Sequence, residues 1–181
     1  MRKSFTQTGF SLVELMVVIA IIAILTVIAI PQYDKYKSKA LVPEAKIALG
    51  AIYQNEIAFF QEAQMYAACL NAIGYASSPN AYYAKGFYVQ PGTAPDPVNF
   101  GCQNGNSGAY NPLGLTYTYF VADKTARTSG TPAAVVDMPP TTITATGFTA
   151  SAGGFISKDS LLTDKWTINE QQAFVHLSIG Y

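Results

Sequence analysis

The side chains that most often carry catalysis are scarce in this sequence. It holds one histidine, His176, and two cysteines, Cys69 and Cys102, among its 181 residues. A serine or cysteine triad needs a histidine as its base, so such a site would have to use His176. His176 lies in the run 174–177, which is typical of a strand with this residue on its polar face. No paired-carboxylate or nucleotide-binding motif is present, and the sequence therefore indicates neither an enzyme nor a cofactor.

The two cysteines form an even pair, which suits a disulfide if the chain is exported. They are too few and too far apart for a zinc site, and a single histidine does not complete one, so no metal centre is predicted. In a cytosolic protein the same pair would more often be two free thiols. A bridge between Cys69 and Cys102 is therefore an expectation that depends on where the chain resides.

A single carboxylate, Glu14, interrupts the longest apolar run of the chain. The first nine residues form a short, mostly polar segment that Arg2 and Lys3 make basic. Residues 10–30 are then mostly aliphatic up to Pro31. About 20 residues of helix measure roughly 30 Å, which is enough to cross the core of a bilayer. The run therefore predicts a membrane-spanning helix with a carboxylate near its start.

Glu14 helps to decide between interpretations of this run. An ordinary secretory signal peptide, cut near residues 27–29, or a plain anchor helix would fit the apolar length alone. A charged carboxylate inside the membrane costs roughly 2.5–3.5 kcal/mol on insertion scales, and neither kind of segment has a reason to carry that cost. A positive charge at the same depth would neutralise Glu14, and the sequence offers none there. Cleavage between Gly9 and Phe10 would create one, the new α-amino group of Phe10.

The segment Gly-Phe-Ser-Leu-Val-Glu at residues 9–14, followed by the aliphatic run and Pro31, resembles the processing site of type IV prepilins. The resemblance implies that a membrane aspartyl protease, the prepilin peptidase, cuts after Gly9 on the cytoplasmic side. The same enzyme would then methylate the new amine of Phe10. In that family the glutamate that matches Glu14 pairs with the terminal amine of a neighbouring subunit during assembly. The insertion cost of Glu14 and the resemblance therefore point to the same two groups.

The resemblance also implies where the chain resides and what it contacts. Lysines or arginines flank both ends of the apolar run, so the positive-inside rule does not fix its orientation. The family has a cytoplasmic leader and a periplasmic head, with the precursor in the inner membrane and the mature subunit in an extracellular helical filament. Its partners would be further copies of itself, the prepilin peptidase and the pilus assembly machinery. The formal net charge of zero does not indicate a nucleic-acid partner.

The helical pattern continues beyond Pro31, with apolar residues at three-, four- and seven-residue steps as far as Tyr66. We therefore expect one helix from residue 10 to about residue 67, interrupted on its apolar face by Asn55 and Glu56. Pro31 and Pro43 lack an amide proton and predict kinks. The aromatic residues of this segment are interpreted as packing groups rather than as an electron-transfer stripe: Phe10, Tyr33, Tyr36, Tyr53, Phe59, Phe60 and Tyr66.

The remainder of the chain predicts a loop region and then strands. Strand-like runs lie at residues 115–121, 142–152 and 165–168, with weaker candidates at 134–137 and 174–179, and Trp166 is interpreted as a core aromatic. A helix followed by antiparallel strands is an α+β order, and in the resembling family the sheet packs on the second half of the helix. The predicted organisation is a leader at 1–9, a transmembrane and filament-core half of the helix at 10–30, an amphipathic half at 31–67, a loop region at 68–114 and an antiparallel β-sheet head at 115–181.

Residues 44–66 and 164–170 also resemble major pilins, which favours the main subunit of a type IV pilus. A minor pilin or a type II secretion pseudopilin shares the amino-terminal segment and is the alternative. The Tyr-Pro motif and the calcium-binding carboxylate loop that are common in pseudopilins are not found in this sequence. The cysteines lie before the first predicted strand, whereas the disulfide of many major pilins closes a loop near the carboxyl end. Adhesion, twitching motility, DNA uptake and biofilm formation all use such filaments, and the sequence does not choose among them.

Overall fold

The computed structural model describes residues 9–88, 119–127, 130–144, 146–158 and 162–181. One long helix precedes an antiparallel sheet, which confirms the α+β class predicted from the sequence. The elements are α1 (Leu12–Ala63), β1 (Tyr83–Gly86), β2 (Tyr119–Phe120), a 3₁₀ turn η1 (Val135–Asp137), β3 (Thr142–Ile143), β4 (Phe148–Gly154), β5 (Asp164–Asn169) and β6 (Phe174–Ser178).

Helix α1 has a clear physical start and stop. Ser11 is its N-cap, with extended backbone angles, and its side chain accepts a hydrogen bond from the backbone N–H of Val13. Gln64 ends it in the left-handed conformation, with φ of 57°, and donates its backbone N–H to the carbonyl of Phe60 at 2.9 Å. Pro31 and Pro43 both lie inside this helix. The long helix is therefore confirmed, while the kinks at the two prolines stay predictions.

The sheet has the strand order β2-β1-β4-β5-β6, with β3 paired to β4 beside this path. Strand β1 lies within residues 68–114, which the sequence predicted to be a loop region. All four β1 residues are buried, so neither face of this strand needs polar side chains for solvent. Its sequence Tyr-Ala-Lys-Gly accordingly does not alternate between apolar and polar residues. That is why a search for a two-residue period misses a strand that lies between β2 and β4.

Three other strand predictions differ in detail from the structure. The run 142–152 is divided into β3 and β4 by a turn, in which the backbone N–H of Gly147 donates to Thr144 Oγ1 at 3.0 Å. The weak candidate at 134–137 is the 3₁₀ turn η1, where the Asp137 side chain accepts from the backbone N–H of Ala134 at 2.9 Å. Of the run 115–121, residues 115–118 lie outside the described part, and Tyr119–Phe120 form β2.

The core lies between the second half of α1 and one face of the sheet. Leu49 and Ile52 of α1 are fully buried there, and small side chains on β4, such as Ala150, let the helix pack closely on the sheet. The other face of β4 is covered by η1. A Cβ at Gly153 would collide with the backbone carbonyl of Asp137, so only glycine fits at this crossing. Trp166 is 7% exposed, which confirms it as a core aromatic.

Candidate assembly site

The amino-terminal turn of α1 holds the carboxylate that the sequence singled out. Glu14 Oε2 accepts the backbone N–H of Ser11 at 3.0 Å, and Ser11 Oγ accepts the backbone N–H of Val13 at 3.3 Å. Together these contacts form a capping box, which satisfies amide groups that a helix start leaves unpaired. The negative charge also lies at the positive end of the helix dipole. Glu14 is thereby held beside the backbone nitrogen that directly follows Phe10.

The helix half that follows Glu14 is bare. Leu12 is 73% exposed, Val27 75% and Ile30 62%, and none of the most apolar stretch of α1 is buried in the single chain. This stretch is long and apolar enough to cross a membrane. Burying apolar area is worth roughly 25 cal/mol per Å². A continuous uncovered apolar surface of this length therefore requires lipid or other protein chains around it.

The head begins to contact α1 about two turns after the apolar half ends. Ser38 is 3% exposed and donates its hydroxyl to the carbonyl of Asp34 at 3.0 Å. Further along α1, Lys46 places its ammonium group 4.5 Å from the ring centre of Trp166. Such cation–π contacts fix a flexible lysine against an aromatic face. The amphipathic half of α1 is thus fastened to the sheet, while the apolar half projects from it.

Of the two predicted disulfide partners, the structure describes Cys69. It lies in the turn that follows α1, is 1% exposed, and its carbonyl accepts the backbone N–H of Ile73 at 3.1 Å. Cys102 lies outside the described residues. The bridge between the two cysteines therefore stays a prediction.

Asp164, at the start of β5, is the centre of a buried polar cluster that the sequence analysis missed. Its carboxylate is fully buried and accepts from Tyr83 Oη at 2.6 Å, from Trp166 Nε1 at 2.7 Å and from the backbone N–H of Gly180 at 3.2 Å. His176 Nε2 lies 2.8 Å from Asp164 Oδ1, the oxygen that also accepts from Gly180. Burial, followed by the hydrogen bond to Asp164, raises the pKa of Tyr83 far above its usual range, so the phenol stays protonated and donates.

The position of His176 differs from the prediction, which placed it on the polar face of a strand. Its ring stacks on Trp166 with centroids 3.9 Å apart and planes 8° apart, so it lies on the helix-facing side of the sheet. Together with Asp164 it joins β5 to β6. The single histidine of the chain therefore forms a hydrogen bond that links two strands inside the head.

A second buried acid, Glu56, lies on α1 itself. It is fully buried; its Oε2 accepts the backbone N–H of Ala67 at 3.2 Å, and its Oε1 has no hydrogen-bond partner among the residues that the structure describes. Burial raises the pKa of the Glu56 carboxyl to about 8, and the hydrogen bond from Ala67 offsets only part of that rise. The interruption of the apolar face at this residue was the sequence signal for it.

Glu44 of α1 anchors the start of β1. Its Oε1 accepts the backbone N–H groups of Tyr82 at 2.9 Å and Tyr83 at 3.2 Å, and it lies 3.9 Å from Lys85 Nζ. Lys85 is 2% exposed, and burial lowers its pKa while Glu44 and Asp123 oppose that shift. The pair adjoins a cleft of about 540 Å³ between α1 and residues 75–81. Among the described residues, no three His, Cys, Asp or Glu side chains gather as a metal ion would require.

Comparison with known proteins gives matches that agree with this arrangement. The prokaryotic N-terminal methylation motif matches residues 5–30. The type IV major pilin protein PilA of Myxococcus xanthus is 46% identical over 68 residues, which is 38% of this chain and 31% of that protein. The fimbrial protein EcpC of Eikenella corrodens is 35% identical over 83 residues, 46% of this chain and 54% of that protein. The type IV major pilin protein PilE1 of Neisseria gonorrhoeae is 54% identical over 39 residues, 22% of this chain and 24% of that protein.

The similarity is thus concentrated in part of the chain, which spans between about a quarter and half of the length of these relatives. The matched motif covers the segment with Gly9, Phe10 and Glu14. The long helix with a bare apolar half, followed by an antiparallel sheet, is the architecture that the resemblance implies. In its amino-terminal motif, in the relatives that it matches and in its long helix followed by an antiparallel sheet, this chain is similar to type IV pilins.

Proposed function

We propose that this chain is the main structural subunit of an extracellular type IV pilus, and that it acts by polymerising rather than by catalysis. The observation that supports this most directly is the bare apolar half of α1, which carries Glu14 at its free end. A bilayer covers such a surface before assembly, and the same surfaces of other copies cover it afterwards. The relatives that match the chain are described as major pilins and fimbrial proteins.

The proposed maturation creates the partner that Glu14 needs. Cleavage after Gly9 frees the α-amino group of Phe10, which the same peptidase then methylates. In the uncut chain, Glu14 accepts from the backbone N–H of its own Ser11. A carboxylate has room for further donors, so the terminal amine of a neighbouring copy is able to join this site. In a low-dielectric bundle an unpaired Glu14 is strongly unfavourable, and the pairing therefore selects the register of each added subunit.

The proposed locations follow from this cycle. The precursor spans the inner membrane once, with its leader in the cytoplasm where the prepilin peptidase cuts, and its head in the periplasm. The assembly machinery then moves the trimmed subunit into the filament. An oxidising periplasm also favours the bridge between Cys69 and Cys102.

Mass spectrometry of sheared filaments tests the proposal. We expect a chain that begins at Phe10, carries an N-methyl group and lacks residues 1–9. This chain should be the dominant protein of the filament, because a minor pilin or a type II secretion pseudopilin would be a trace component. Replacement of Gly9 by leucine should leave uncut precursor in the inner membrane. Mature filaments with an intact leader would contradict the proposed processing.

A further inference from the structure

A small cleft lies where the head first contacts α1, just beyond the apolar half of the helix. Its volume is about 210 Å³. Three residues of the helix and three of the head line it: Asp34, Lys37, Ser38, Ala126, Ile156 and Lys158. Ser38 and Ile156 are almost fully buried and form its base, while Lys37 and Lys158 are exposed at its rim. The helix and the head therefore build this cleft together.

The charges of the cleft favour an anionic ligand. Lys37 and Lys158 come from different segments, and within the described part of the chain neither forms an ion pair. Asp34 is half-buried and forms none there either. Two ammonium groups against one carboxylate give the lining a net positive charge. Ammonium groups are common phosphate ligands, and a carboxylate accepts hydrogen bonds from hydroxyl groups. The lining therefore suits a phosphate ester that carries hydroxyl donors beside its negative charge.

The distance of the cleft from the apolar half of α1 places it at the membrane surface. Residues 34–38 follow Ile30, the last residue of the apolar run, by roughly 6–12 Å of helix. A bilayer with about 30 Å of hydrocarbon and a total thickness of about 40–45 Å has headgroup layers of roughly 5–8 Å on each side. When the apolar half fills the hydrocarbon core, Asp34 and Lys37 thus lie at the depth of the lipid phosphates.

We propose that this cleft binds the headgroup of an anionic glycerophospholipid that ends in hydroxyl groups, with phosphatidylglycerol as the simplest example. Lys37 and Lys158 contact the phosphate, and Asp34 accepts from the headgroup hydroxyls. The acyl chains then lie along the exposed apolar half of α1. A phosphatidylcholine headgroup fits less well, because its net charge is zero and it offers Asp34 no hydrogen-bond donor.

The inference rests on the proposed function, because it takes the chain as resident in a membrane before assembly. It adds a specific lipid contact to the general burial of the apolar half. Such a contact fixes the head against the bilayer surface until the subunit leaves the membrane for the filament.

Native mass spectrometry of the full chain in a nonionic detergent measures the binding of added lipid. The unaltered chain should bind phosphatidylglycerol at least about fivefold more tightly than phosphatidylcholine with the same acyl chains, because one lysine near an anionic lipid contributes about this factor. Lys37→Gln and Lys158→Gln should each lower the affinity for phosphatidylglycerol about fivefold and leave that for phosphatidylcholine unchanged.

Lys35→Gln is the matched control. Lys35 is exposed at the same depth, but it does not line the cleft, since it lies on another face of α1 from Asp34, Lys37 and Ser38. Its replacement removes the same charge and should change the affinity for phosphatidylglycerol less than about twofold, because an exposed charge outside the contact is largely screened. Equal losses from Lys35→Gln and from the two cleft variants would overturn the proposal, because they would show a general attraction of the basic segment to anionic lipid.

Two further outcomes would overturn the lipid site without a variant. One is equal binding of phosphatidylglycerol and phosphatidylcholine by the unaltered chain. The other is displacement of phosphatidylglycerol by an equimolar amount of glycerol phosphate, which would identify a soluble phosphate ester as the occupant. Filament formation is scored separately, so the two failures are distinguishable: a chain that forms no filaments refutes the proposed function, whereas loss of the lipid preference refutes this site alone.

Discussion

Replacement of Glu56 by glutamine should make the head more stable above neutral pH. The carboxyl of Glu56 is buried with one oxygen unpartnered, and its pKa is raised from 4.5 to about 8. Below pH 4.5 the folded and unfolded chains both hold the proton. Between pH 4.5 and 8 the folded chain keeps it while the unfolded chain releases it, so the free energy of unfolding falls as pH rises. Above pH 8 both are ionised and the loss is complete.

The size of this loss follows from the pKa shift. Each unit corresponds to about 1.4 kcal/mol, so the free energy of unfolding should fall by about 2–3 kcal/mol between pH 5 and 7 from this group alone. Glu56→Gln removes the titration and keeps an oxygen that accepts from the Ala67 amide. The variant should therefore match the original chain near pH 4 and exceed its stability by about 3 kcal/mol at pH 7.

Urea unfolding of the full chain in a nonionic detergent, followed by the fluorescence of Trp166, gives the required curves because the chain has a single tryptophan. Other titrating groups are common to both proteins, so the difference between their pH profiles isolates Glu56. Glu62→Gln, an exposed change on the same helix, should leave the profile unaltered. Parallel profiles for the original chain and Glu56→Gln would refute the reasoning, because they would show that Glu56 is ionised in the folded head at neutral pH.

Three further predictions use other polar groups of the chain. Glu14→Ala and Glu14→Gln should both be inserted into the membrane and trimmed, but each should lower filament yield at least about tenfold. Glutamine keeps the capping box. Normal filament yield from Glu14→Gln would therefore show that helix capping matters for assembly and that the charge does not. Peptide mapping without reduction should recover Cys69 joined to Cys102, and alkylation of both thiols in the unreduced protein would reject the bridge. Tyr83→Phe should lower the free energy of unfolding by about 1–3 kcal/mol, because buried Asp164 loses a donor; an unchanged urea midpoint would show that this hydrogen bond contributes nothing.

The features that were predictable from sequence depend on residues close together in the chain. The long helix follows from apolar periodicity, and the amino-terminal site from a carboxylate in an apolar run that begins directly after Gly9. Each is recognised from one continuous stretch of roughly 20 residues or fewer. The interruption of the apolar face at Glu56 was visible too, but its depth in the core was not, because the turn at Ala67 that covers it lies beyond the helix.

The features that were missed depend on contacts between distant segments. Besides Trp166 two residues away, Asp164 has partners from outside its own strand: Tyr83, which is 81 residues away, His176 and Gly180. No local pattern marks these four side chains or backbone groups as partners, and the short strand that carries Tyr83 has no alternation of its own. Buried polar clusters of this kind form only when the topology brings β1, β5 and the chain end together, and any change that separates these segments leaves the buried Asp164 with fewer hydrogen-bond partners. The buried polar cluster of the head therefore depends on hydrogen bonds between distant segments, whereas the helix that is proposed to drive assembly can be recognised from its local sequence.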